Sequence, residues 1–181
     1  PGQPPMFIPL DTGLEKLLNH YGVSVKNAYI LDEESYKSRR PANMGGGEQQ
    51  IYFAPIMKNE QINTEPAFMN NIKGLVAMQA APLELIKDNI DPEKITATPL
   101  LKSSDRAWLM EKQISLNPAT IFPPKEDDAF GTYTMAAVLE GEFTSFFKGK
   151  AVPEKEKPAK ADGSGDESAG TVSKQPVPEN K

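Results

Sequence analysis

The sequence predicts an α/β domain, a partial Rossmann-like mixed sheet with flanking helices, followed by a disordered C-terminal tail. Three observations carry this prediction. Short β-branched and aromatic runs intermix with a helical pattern, which favours α/β or α+β over a bundle or a sandwich. Several of those runs are almost continuously apolar, as strands covered on both faces are. Finally, residues 151–181 contain no Leu, Ile, Phe, Tyr, Trp or Met. Such a stretch buries too little apolar surface to offset the entropy of ordering it. The folded domain is therefore placed at 6–149, and 150–181 is read as a disordered Pro/Lys/Glu-rich linker.

The clearest helix is expected over Ile8–Tyr21. Thr12 is placed to cap it, with Glu15 completing a capping box. Leu14, Leu17, Leu18 and Tyr21 recur at helical spacing and predict one buried face. Gly22 is a natural stop. Val23–Leu31 reads as a strand, with a possible break at Lys26-Asn27. The polar stretch Asp32–Gly47 reads as a loop ending in Gly45-Gly46-Gly47. Successive glycines cradle phosphates only between a strand and a helix, and here a β-like run follows instead, so a loop is expected.

Gln50–Met57 reads as a strand interrupted by Pro55, hence at an edge or an end. Asn59–Asn71 is expected to be a loop with one helical turn. Gly74–Ala80 is apolar enough for a buried strand. Pro82–Ile86 can start a short helix, with Pro at its first position. Asp91–Lys94 is a turn. Ile95–Leu101 is a strand, Lys102–Arg106 its turn, and Trp108 a buried aromatic after it. Asn117–Asp128 reads as a surface loop. Tyr133–Leu139 is the last strand and leads toward Phe143, also expected to be buried.

Composition narrows the function classes. The chain has 181 residues and a net charge of −5. That acidity argues against nucleic acid, because phosphate neutralisation needs clustered cations. The basic run Lys37–Arg40 is too short to change the argument. The sequence has no cysteine, so it holds neither disulfides nor a thiol nucleophile. No apolar run is long enough to span a membrane. The chain opens at Pro1 without a methionine and reads as a piece of a longer protein.

No catalytic constellation emerges. His20 is the single histidine and falls in the last turn of the expected helix, where a cation suits the dipole. No G-x-S-x-G elbow accompanies it. Asp32-Glu33-Glu34 and Glu126-Asp127-Asp128 have neither Ca²⁺-loop nor helical ligand spacing, and read as solvated loops. The expectation is no catalytic residue, no metal and no cofactor. The best polar cluster is Ser103, Ser104, Asp105 and Arg106, with Trp108 beside it. Hydroxyls and a guanidinium at a strand end can hold a carboxylate or phosphate. Turn chemistry, with Trp108 plugging the core, also accounts for every residue there.

Several pieces carry a resemblance: PLDTGLEKLLNHYGV, NAYILDE, the Gly-rich segment before QIYFAPIM, TPLLKSSDRAW and YTMAAVLEGEFTSFFKGK. In this order the chain resembles GldG-like auxiliary components of ABC-type transport systems linked to gliding motility, over about 6–150. Residues 59–71 depart from that pattern. The resemblance implies a non-enzymatic soluble domain on the extracytoplasmic, periplasmic face of the inner membrane. Its implied partners are permease and ATPase subunits, or the transported substrate, and it would meet the membrane only through segments outside this chain. The alternative reading is a module binding a small anion or saccharide at Ser103–Trp108.

Overall fold

The computed structural model describes residues 12–112 and 114–150. The expected linker therefore lies, from residue 151 onward, outside the described residues, as do residues 8–11 of the expected helix.

Helix α1 spans Leu14–His20. Its N-cap is Gly13, at φ 75°. Thr12 stands one place further out than expected. Its hydroxyl accepts from the Leu14 N–H at 3.3 Å and meets the Glu15 carboxylate at 3.2 Å. The predicted apolar face is only half covered. Leu17, Leu18 and Tyr21 are half-buried, while Leu14 is 56% exposed. The reason is what the helix packs on: strand β1, Val23–Val25, is too short to cover its first turn.

The break between β1 and β2, Tyr29–Asp32, falls where the sequence suggested it. The expected polar loop then contains a strand, β3, Ser35–Arg39. This strand is mostly exposed, so its side chains are polar, and backbone pairing to β4 holds it in place. The turn between them includes the three glycines, all at positive φ.

Strand β4, Glu48–Lys58, runs straight through Pro55 and is the middle strand of its sheet. The expectation of an edge fails because the register with β3 jumps there. Pairing runs from Arg39↔Glu48 to Tyr36↔Ile51, then resumes only at Ser35↔Pro55. Pro55 lacks an N–H, and the position uses its carbonyl, which accepts from Ala77 N at 3.0 Å. Strand β5, Gly74–Val76, is an exposed edge where a buried strand was expected, with Val76 47% and Met78 62% exposed. Two short 3-10 turns, Asn59–Gln61 and Ala67–Met69, occupy the loop between β4 and β5.

Strand β6, Leu83–Leu85, replaces the expected short helix. Leu-Glu-Leu alternates in and out with period two and pairs with β1, Val23↔Leu85. Strands β7, Ile95–Lys102, β8, Ala107–Met110, and β9, Thr134–Gly141, complete the set. The sheets are ordered β1-β6-β9-β7, β2-β8 and β3-β4-β5, and every described pairing is antiparallel. The domain is thus mixed α/β, largely antiparallel with one helix among the described residues. The Rossmann-like expectation is corrected: a doubly wound sheet needs parallel strands joined by helical crossovers, whereas every described pairing is antiparallel and the described connections between strands hold only short 3-10 turns.

Two apolar clusters form the core. Leu31, Phe53, Trp108 and Ile121 make the first, and Met57, Ile62 and Met69 the second. Trp108 is buried as expected, at 7% exposure. Phe143 is not: it is 41% exposed, and its ring meets Tyr21 edge to face at 5.7 Å. β9 ends at Gly141, so Phe143 stands outside the sheet.

Gly141 stands at φ 140°, opposite Ile95, and an added Cβ would run into the Lys94 carbonyl. Gly141→Ala is expected to lower stability by roughly 1–3 kcal/mol, the scale of forced overpacking. At Gly13 an added Cβ meets no described atom within 4 Å, so Gly13→Ala is expected to cost less. A urea titration of both variants checks the ranking; equal midpoints would contradict it.

Candidate functional site

The site predicted from sequence is the connection between β7 and β8. Two features of the chain place it. β7 ends at Lys102 when its pairing with β9 gives out at Thr134. β8 then turns back to pair with β2, with Asp32↔Ala107 and Leu31↔Trp108 in register. The end of β2 is thereby brought directly beneath the turn.

Asp32 is the centre of the arrangement, and it was read from sequence as part of a solvated acidic loop. It is fully buried. Its carboxylate accepts from the Ser104 N–H at 2.8 Å, the Ser104 hydroxyl at 2.6 Å and the Glu34 N–H at 2.8 Å. Ser104 Oγ in turn accepts from the Arg106 N–H at 3.0 Å. Ser103 Oγ donates to the Ser104 carbonyl at 3.0 Å and accepts from the Tyr133 N–H at 2.8 Å, tying the turn to β9. Both serines are buried, and each hydroxyl is engaged within the chain.

Arg106 lies above this layer. Its Nε and Nη2 fork onto the Glu33 carboxylate at 3.0 and 3.3 Å, and its Nη1 meets Asp127 at 3.0 Å. The guanidinium carbon sits 3.7 Å from the centre of the Phe130 ring. Phe130 meets Trp108 edge to face at 5.8 Å, and Trp108 meets Tyr52 at 5.2 Å. A column therefore descends from a surface cation through two rings into the first core cluster. Of the predicted site residues, Ser103, Ser104 and Trp108 are buried, Arg106 is half-buried and Asp105 is exposed. The structure brings Arg106 onto Glu33 and Asp127, from the two acidic runs expected from sequence to be solvated loops. The one hint of the buried carboxylate was its place directly after the apolar Tyr29-Ile30-Leu31.

Burial pushes the Asp32 carboxyl above its ordinary value of 3.8, against the opposing bonds from the Ser104 hydroxyl, Ser104 N–H and Glu34 N–H. A raised folded value gives a stabilising contribution that is complete below the unfolded value and lost as pH rises through the folded one. The stability of the wild type relative to Asp32→Asn is therefore expected to fall between pH 3.8 and neutrality. Denaturant midpoints of both proteins across that range test the sign. A wild-type advantage that grows with pH would reverse it.

His20, in the last turn of α1, bonds through Nε2 to the Thr144 carbonyl at 2.8 Å and lies edge-on to Tyr21 and Phe146. It thus helps hold the segment after β9 against the helix. Among the described residues, no group of three or more His, Asp or Glu is placed to hold a metal ion, and no helix is long and apolar enough to cross a membrane.

Fold and site together define a small mixed α/β domain whose best polar cluster is closed upon itself, with buried hydroxyls already bonded and a cation already paired. Residues 1–176 match the family model described as an ABC-type uncharacterized transport system, and the chain belongs to that family of auxiliary transport-system components. No curated protein and no solved structure matches the chain significantly.

Proposed function

We propose that the domain is a non-enzymatic, extracytoplasmic part of its transport system, on the periplasmic side of the inner membrane, and that it acts by contact with transporter subunits. The family match over residues 1–176 supports the transport-system part of this reading, and the placement and contacts rest on the resemblance quoted above. The internal pairing of Ser103, Ser104 and Arg106 supports it, because both hydroxyls and the guanidinium are already engaged within the chain. From that side of the membrane the permease is the directly reachable subunit, and the ATPase is reached through it. A gliding-motility-type system is the proposed setting, on the resemblance in the residues quoted above.

Within the site, Asp105 and the outer face of Arg106 are the groups available to a partner, while Ser103, Ser104 and Trp108 fix the turn from beneath. A photo-crosslinking residue at Asp105, in the full protein expressed with its transporter subunits, tests both placement and contact. The expected result is a crosslink to the permease that requires assembled complex. A crosslink only to cytoplasmic proteins would overturn the placement.

A further inference from the structure

The basic run Lys37–Arg40 was too short for nucleic acid, and the transport reading leaves it unused. Lys37–Arg39 lie on β3, an edge strand of the β3-β4-β5 sheet, and Arg40 directly follows it. The Arg40 N–H donates to the Gly47 carbonyl at 2.8 Å, so this residue faces β4. Antiparallel pairs alternate between bonded and unbonded. Regular pairing from Tyr36↔Ile51 to Arg39↔Glu48 therefore turns the backbone N–H and C=O groups of Lys37 and Arg39 outward. Both side chains are exposed and stand on one face, two positions apart along the strand. Among the described residues, neither makes an ion pair within the chain.

We propose that β3 is a docking edge for an extended, acidic segment of a partner protein, which adds to the sheet as a strand. Charge selects this occupant. A second copy pairing antiparallel about Ser38 would set Lys37 against Arg39 at both positions, and like charges directly opposite one another repel. An acidic strand with carboxylates at alternate positions instead meets both cations while its backbone bonds to the outward groups. The proposal deepens the partner-contact reading, yet the edge is tested without any transporter subunit.

The test uses the full chain, isotopically labelled, titrated with two short blocked peptides of alternating residues, one of glutamate and valine and the other of lysine and valine. The expected result is amide shifts centred on Lys37 and Arg39 with the acidic peptide, and at least tenfold weaker effects with the basic one. The charge-reversed double variant Lys37→Glu/Arg39→Glu is expected to invert that preference while its far-ultraviolet circular dichroism stays unchanged. Equal response to both peptides, shifts centred elsewhere or no response at all would overturn the proposal. So would an acidic-peptide response that the charge-reversed variant retains. Self-association of that variant without an inverted preference would instead assign the two cations a guarding role against edge pairing, and would overturn it too.

Discussion

Trp108→Ala is expected to lower the free energy of unfolding by about 3–5 kcal/mol, the usual cost of emptying a large aromatic site in a packed core. Trp108 is 7% exposed and stands opposite Leu31 in the β2-β8 pair. Its ring lies between Tyr52 and Phe130, so its loss removes contacts on both sides and leaves the Arg106 guanidinium stacked on an unsupported Phe130. A domain has only about 5–15 kcal/mol in total, so the variant is expected to be close to unfolding at moderate temperature. Phe143→Ala is the internal control. With 41% of the residue exposed and one ring neighbour among the described residues, its truncation is expected to cost about 1 kcal/mol. Urea titrations followed by circular dichroism suit both, since Trp108 is the only tryptophan and its loss removes the fluorescence signal. Equal costs would place the core elsewhere.

Asp32→Ala is expected to cost about 3 kcal/mol. The substitution removes the acceptor of two Ser104 donors and of the Glu34 N–H, and buried donors left without partners cost about 1–3 kcal/mol each. Relief of the carboxylate's burial offsets part of that sum. Asp32→Asn keeps one acceptor oxygen and turns an amide N–H toward a backbone donor, so an intermediate loss is expected. The coupling is the sharper readout. Ser104→Ala in the wild type leaves part of the Asp32 carboxylate unpaired, but in an Asp32→Ala background it removes a hydroxyl already orphaned. The double-mutant cycle should be non-additive by about 0.5–3 kcal/mol. Additive losses would mean that the bond between β2 and the turn contributes nothing to stability.

What the sequence revealed divides along the line between local and long-range causes. β7 and β9 were legible because their apolar content is dense and continuous, and the split between β1 and β2 because Lys26-Asn27 interrupts it. The helix stop at Gly22 was legible in the same way, since it stands at φ 85°. β3 was hidden because an exposed strand has no apolar signature, and only β4 shows that Ser35–Arg39 is extended. Pro55 misled because its tolerance depends on a register jump in the pairing of β4 with β3, which the run Gln50–Met57 does not announce. β6 is three residues long, too short for its alternation to outweigh a preceding proline.

The candidate site followed the same rule. The turn at Ser103–Arg106 and the burial of Trp108 could be read locally. Its partners Asp32, Glu33 and Asp127 lie far away in sequence, and an acidic run gives no sign of which carboxylate the fold will cover. The antiparallel arrangement, too, is a property of connections and pairing, whereas apolar runs identify strands without giving their direction.

The central claim is that this domain serves its transport system by contact rather than catalysis. Reconstitution of the full protein with the proposed permease and ATPase subunits, in parallel with a form lacking residues 12–150, tests it most directly. Subunit stoichiometry and ATP hydrolysis are measured on the same samples. The account predicts that deletion weakens the association with the permease and alters the hydrolysis rate of the complex, while the isolated domain added back in excess restores both. Unchanged stoichiometry and unchanged hydrolysis after deletion would contradict it.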